Sequence, residues 1–210
     1  GFFLVRTVLI LAGGVASLKE AQEAAKGVDF ILAANGGFTL AQKAGLPVDL
    51  LLGDLDSLPA PPPNVPVLRV PQEKDATDLE LALDHAVSLG AESIRVVGAF
   101  GARLDHTLAI VNLLEKYGVH IILFHRDTRA HLVLDHLELN AHPGDLVSLL
   151  PLTEEARGIT TYGLRYPLHE GVLVRASTRG VSNEVVTTPC GVRVREGKLL
   201  LIHIPKGGGR

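Results

Sequence analysis

Two hydrophobic rhythms alternate through the first 125 residues. Short runs of consecutive apolar residues predict strands buried on both faces: "TVLILA" (7–12), "VDFILAA" (28–34), "VDLLL" (48–52), "VPVLRV" (65–70), "SIRVVG" (93–98) and "VHIILFH" (119–125). Segments with helical spacing lie between them. "SLKEAQEAAKG" (17–27) opens on Ser17 with Glu20 three residues on, a capping box, and stops at Gly27. "FTLAQKAG" (38–45) and "LDHTLAIVNLLEKYG" (104–118) are further helix-like segments. In "ATDLELALDHAVSLG" (76–90), Leu79, Ala82, Leu83, Ala86 and Val87 form one apolar stripe, and Thr77 with Glu80 repeats the capping box. Strands alternating with helices predict a mostly parallel sheet covered by helices on both faces.

The rhythm changes after about residue 128. "AHLVLDHLELN", "DLVSLLPL", "GITTYGLRYPL", "GVLVRAS" and "GVRVREGKLLLIHI" are short segments separated by Gly, Pro and Asn, with few helix signals. They predict an all-β sandwich, its last two strands joined by a hairpin turn at "REGK". The expected fold class is thus an N-terminal mostly parallel α/β sheet domain, residues 1–128, followed by an all-β sandwich domain, residues 129–210. The Pro-rich stretch "LPAPPPNVP" (58–66) reads as a semi-rigid surface loop inside the first domain, not as a linker.

Composition narrows the function classes. A chain of 210 residues, 47% apolar and 20% charged, has the profile of a globular protein with a sizeable core. Its net charge of -3 gives no electrostatic reason to expect nucleic acid. The single cysteine, Cys190, excludes an internal disulfide and fits a reducing compartment. The start, "GFFLVRTVLILAGGVAS", superficially resembles a signal peptide, but Arg6 interrupts the apolar run and "RTVLILAGG" reads well as a first strand ending in a glycine turn. No apolar run approaches the ~20 residues that span a bilayer, so no membrane partner is expected and the cytoplasm is the expected location.

The chemistry concentrates at predicted strand ends, where open α/β sheets bind ligands. "LLGDLDSL" sets Asp54 and Asp56 one residue apart after Gly53. Two carboxylates so close repel unless water or a cation screens them. "QEKDATDLELAL" adds Lys74, Asp75 and Asp78 at a helix start, more charge than a cap requires. "GAFGARLDHTLAIVN" offers Arg103, Asp105 and His106, with Asn112 seven residues after Asp105 on about the same helical face. Ordinary turn and cap chemistry explains each stretch alone; their recurrence suits a hard cation such as Mg²⁺, which prefers oxygen ligands and keeps phosphate oxygens in its shell. Zinc fits poorly, because there is no HExxH and His120, His125, His131 and His136 fall mostly in strands. The GxSxG elbow, the GxxxxGK[ST] loop and GxGxxG are absent.

Taken together, "GDLDS", "KDATDLELAL", "GARLDHTLAIVN" and "GLRYPL…STRGVSNEV" resemble, in order and spacing, the signatures of bacterial thiamine pyrophosphokinases. The resemblance implies an α/β catalytic domain and a β-sandwich, a homodimer with thiamine bound at its interface, ATP as co-substrate, Mg²⁺ as cofactor, and transfer of pyrophosphate to thiamine with release of AMP. It implies that Asp54, Asp56 and Asp78 handle magnesium and polyphosphate, with Asp75 beside them as a further catalytic acid. Lys74 and Asp78 would face the substrate. Arg103, Asp105, His106 and Asn112 would lie on the nucleotide side, and Ser182 and Asn183 would reach the thiamine pyrimidine. Two positions depart from the family pattern. "NGGFT" puts Asn35 before Gly36 and Gly37 where the family has Asp, keeping a hydrogen-bonding oxygen in a nucleotide-binding turn but losing its charge, and Gly101-Ala102 replaces a double glycine.

Three other readings remain open at this level. A pyrophosphokinase for another alcohol, such as a hydroxymethyl pterin, differs only in its acceptor. A phosphohydrolase using Asp54 as nucleophile would release inorganic phosphate. A non-catalytic nucleotide or thiamine sensor would bind ATP without turnover, and Asn35 is the feature that supports it.

Overall fold

The structure is a computed structural model, and it describes residues 4–54, 64–72, 76–101 and 103–207. The chain forms two compact units: one of Gly1–Leu108 with Ile121–Arg126, the other of Ala109–His120 with Asp127–Arg210.

In the first unit, β1 (Thr7–Leu11), β2 (Phe30–Ala34), β3 (Leu50–Gly53), β4 (Val67–Arg69), β5 (Ser93–Val97) and β6 (His120–His125) form a sheet in the order β6-β5-β1-β2-β3-β4. β1 pairs in parallel with both β2 and β5, and β2 with β3 and β3 with β4 continue in parallel. The apolar runs are buried as their continuity predicts: Val8 to Leu11 and Leu32, Ala33, Leu51 and Leu52 are fully enclosed. Helices α1 (Leu18–Ala24) and α2 (Gly37–Ala44) pack through Ala21, Ala24, Ala41 and Ala44 against Leu9, Leu11, Ile31 and Ala33. These sheet residues alternate with Val8, Ile10 and Leu32, which point the other way. Helix α3 (Asp78–Ser88) buries Leu79, Ala82, Leu83 and Ala86, while Val87 stays 44% exposed at the edge of the expected stripe. Both capping serine/threonine residues act as read: Ser17 Oγ accepts the Glu20 amide at 3.1 Å and Thr77 Oγ1 the Glu80 amide at 3.3 Å, each worth ~1 kcal/mol.

Helix α4 (Leu104–Leu113) runs on into a single 3-10 turn, Leu114–Lys116. Within the second unit Lys198 holds this stretch, donating from Nζ to the carbonyls of Glu115 (2.6 Å) and Tyr117 (2.8 Å). That unit contains β7 (Thr128–Val133), β8 (His136–Leu139), β9 (Leu146–Pro151), β10 (Glu155–Tyr162), β11 (Gly171–Val174), β12 (Asn183–Glu184), β13 (Cys190–Arg193) and β14 (Leu199–Ile204). Its strands are ordered β12-β9-β14-β7 and β11-β10-β13-β8, with antiparallel pairing. Val133, Val147, Leu149, Leu199 and Leu201 from the first set meet Leu139, Ala156, Ile159, Leu173 and Val192 from the second in one core, the two-layer packing of a sandwich.

One expectation fails here. β13 and β14 are not a hairpin, because they belong to different sheets: β14 lies between β7 and β9, and β13 between β10 and β8. The "REGK" turn crosses the sandwich, with Glu196 bonded through its backbone to Arg157 and Gly197 in the left-handed region at φ 86°. Among the described residues, no helix is long and apolar enough to cross a membrane.

Candidate functional site

The strand order of the first unit reverses at β1, since β2 lies on one side of it and β5 on the other. At this switch point the turns beyond the carboxyl ends are drawn together by the backbone. Gly14 N donates to the Gly98 carbonyl (2.7 Å) and Val15 N to that of Phe100 (3.0 Å). A side chain at Gly14 would strike both carbonyls, so only glycine permits the approach. Gly37, which opens the buried side of α2, is pressed in the same way against the Leu11 carbonyl.

Asn35 follows β2 with φ 48°, a conformation that Asn tolerates better than most residues. Its backbone N–H donates to the Leu52 carbonyl (3.1 Å). Its side-chain Nδ2 donates to Asp78 Oδ2 at the start of α3. A Cβ at Gly53 would lie 2.5 Å from Asn35 Oδ1, which explains the glycine before Asp54: it clears space for the Asn35 amide. Asn35, Gly53 and Asp78 therefore meet, and Asp54 follows directly on Gly53; both aspartates are half-buried. Gly36 caps α2 and is exposed. Asp56, Lys74 and Asp75 lie outside the described residues. Among the described residues, no three His, Cys, Asp or Glu side chains are grouped to hold a metal.

Arg103 and Asp105 form a forked ion pair at the start of α4. Nε donates to Oδ1 (3.1 Å) and Nη2 to Oδ2 (2.7 Å), with both side chains about two-thirds exposed at 68% and 66%. The Arg103 bond, with the His106 amide donating to Oδ1 (2.9 Å), holds the Asp105 carboxyl below its ordinary value, and the same bond raises Arg103. Asp105 sits in the first turn of α4 rather than at its cap. His106 and Asn112 are exposed on the same helix.

In the second unit Ser182 has φ 66° and takes the Ser148 hydroxyl oxygen on its backbone N–H (3.0 Å). Asn183 is half-buried beside a cavity whose walls include Tyr166, Leu168, Leu173, Arg179 and Val181. The sequence reading assigned no role to Tyr166 or Arg179. The signal available was position alone, in "GLRYPL" and "STRGVSNE".

A parallel α/β unit with a glycine-lined strand-end site, followed by an antiparallel sandwich with its own cavity, defines a two-part α/β and β architecture. The thiamin pyrophosphokinase catalytic domain matches residues 21–123 and the thiamin pyrophosphokinase vitamin B1 binding domain residues 135–199. A thiamine pyrophosphokinase from Bacillus subtilis (strain 168) is 30% identical over 225 residues, spanning 95% of this chain and 99% of that protein. The solved thiamin pyrophosphokinase of Geobacillus thermodenitrificans has TM-score 0.79 at 30% identity, over 94% of this chain and 97% of that one. The yeast enzyme, at 13% identity and TM-score 0.72 over 95% and 86% of the chains, shares the fold. This chain belongs to the thiamine pyrophosphokinase family.

Proposed function

We propose that this protein is a thiamine diphosphokinase that moves the terminal pyrophosphate of ATP onto the hydroxyl of thiamine. The observation that carries the reading is the 30% identity to a thiamine pyrophosphokinase across 95% of the chain, with both domain matches in order. The thiamine oxygen attacks the β-phosphorus, the bond from that phosphorus to the α–β bridging oxygen breaks, and AMP leaves carrying that oxygen. The hydroxyl proton passes to a carboxylate, for which Asp78 and Asp75 are the candidates.

Residues 1–128 hold ATP and residues 129–210 hold thiamine on this reading. Asp54 and Asp78, with Asp56, present the hard oxygen donors that suit Mg²⁺. A bound Mg²⁺ would offset charge on the polyphosphate oxygens. Asn35 contributes an uncharged partner to Asp78, Gly36 and Gly37 belong to the nucleotide-binding turn, and Arg103 is a cation suited to an anion. Asp105, His106 and Asn112, on the helix that follows Arg103, serve the nucleotide side, Lys74 serves the substrate, and Ser182 and Asn183 serve the thiamine side. The protein acts as a cytoplasmic homodimer: Leu104 and Leu108, one turn apart on α4, are 70% and 56% exposed and suit burial against a second copy.

An acceptor panel tests the assignment. Thiamine should give AMP with ATP and Mg²⁺, while a hydroxymethyl pterin should give none. AMP formation with the pterin and not with thiamine would reassign the acceptor; binding of ATP with no turnover of either would favour a sensor.

A further inference from the structure

We propose that Phe100, set edge to face with His125, is the shelf on which the adenine ring of ATP stacks. The proposal rests on the reading of the first unit as the ATP-binding one, and adds where that unit takes the base. The acids and Arg103 suit the phosphates and their metal, whereas a purine ring needs a flat apolar surface. Phe100 lies just past the end of β5, and His125 is the last residue of β6. Both stand at the crevice where the strand order reverses, the place at which open α/β sheets take ligands.

The switch point divides polar from aromatic groups. Asn35 and Asp54 follow β2 and β3, and Asp78 opens α3 and bonds Asn35, so these groups lie on the β2 side of β1. Phe100 and His125 lie on the β5 side. A nucleotide has the same polarity, charged at one end and flat and apolar at the other. β2 and β5 are two strand spacings apart, ~10 Å, a gap that the ribose and α-phosphate bridge.

The shelf is fixed from below and left open above. The Phe100 carbonyl accepts the Val15 N–H (3.0 Å), and that of Gly98 accepts the Gly14 N–H (2.7 Å). The Phe100 and His125 ring centroids are 5.7 Å apart with the planes at 89°. An edge-to-face pair covers at most one ring face, and both residues are only half-buried, so ring surface remains for a ligand. Val15, in the turn bonded to Phe100, is 68% exposed, and Leu18, which opens α1, is 43% exposed. A stacked base would take apolar surface of this turn out of water.

Titration calorimetry of the full chain with two probes tests the shelf: Mg²⁺ with ATP, and Mg²⁺ with tripolyphosphate, which carries the charge and no base. Phe100→Ala weakens ATP by roughly 5- to 140-fold, the range for loss of one base–aromatic stack. It leaves the tripolyphosphate affinity and the Tm at their wild-type values. Phe100→Tyr, which keeps the ring, retains most of the ATP affinity. Unchanged ATP binding in Phe100→Ala would overturn the proposal, and so would equal losses for the two probes, which would make Phe100 a support for the phosphate side.

Proton NMR of the His125 ring, assigned against His125→Gln, reads the same contact in the wild type. Its signals shift with ATP and stay in place with tripolyphosphate. Equal shifts with both probes, or none with ATP, would put the base elsewhere and overturn the shelf. A wild type that binds neither probe would overturn the ATP-binding reading itself. ATP bound through Phe100 without thiamine turnover would leave the shelf standing and remove only the transfer activity.

Discussion

Asn35 shows how one atom can matter beside an acid. Its amide nitrogen donates to Asp78, and its oxygen occupies the space that Gly53 leaves. Replacing it with the aspartate usual in the family would set two carboxylates against each other, a repulsion on the order of 1–4 kcal/mol at partly screened contact. Asn35→Asp should therefore lower the Tm in EDTA, and Mg²⁺ should restore more stability to the variant than to the wild type. Equal Tm values in EDTA would contradict the contact. Asp54→Asn and Asp78→Asn test the proposed roles of these acids. Each should cut AMP formation by ~10²-fold or more with little change in Tm, and near-normal turnover in either would remove that residue from the site.

Elements in the second unit carry a pH dependence that the strands themselves create. His131 on β7 and His120, which also belongs to the second unit, meet nitrogen to nitrogen at 3.4 Å, their rings parallel within 10°. Burial first, then the neighbouring His120, His203 and Arg129, pushes His131 down to about 3 from its ordinary 6.5. Burial lowers His120 as well. The folded state therefore favours the neutral rings. This contribution to stability is complete above pH 6.5 and is lost progressively as the pH falls toward 3. His131→Leu should flatten the Tm-versus-pH curve on that acid side, and an unchanged slope would contradict it.

Asp145 adds a second, more acidic limb. Burial raises its carboxyl, but the His142 amide (3.0 Å), His203 Nε2 (2.8 Å) and the Lys206 amide (2.8 Å) outweigh that and hold it below its ordinary 3.8. The stability it confers is present above 3.8 and is lost as the pH falls through the lowered value.

These elements also mark what a sequence reveals. Continuous apolar runs announced the parallel strands, and the Ser17 and Thr77 boxes announced two helix starts, because each signal is local. The β13–β14 pairing was misread because "REGK" specifies a turn and not which sheet receives the next strand. "LLLIHI" is apolar enough to need neighbours on both edges, and it finds them in β7 and β9. The bonds of Asn183 to Tyr166 were hidden for a related reason: the partner is the backbone of a residue seventeen positions away, and backbone partners leave no trace in side-chain identity.

For the whole molecule, the sequence motifs and the two-unit architecture lead to the same family, and the chain spans nearly all of its relatives' length. The proposed dimer belongs at this scale. Leu108→Glu should shift the protein from dimer to monomer in light scattering, with the fold retained; a dimer that survives would place the interface elsewhere. The central claim is transfer of an intact pyrophosphate group, and isotopic labelling tests it most directly. With ATP labelled separately at the β- and γ-phosphorus, both labels should appear in thiamine diphosphate and the AMP formed should be unlabelled. Transfer of the γ label alone, with β-labelled ADP as the co-product, would contradict it.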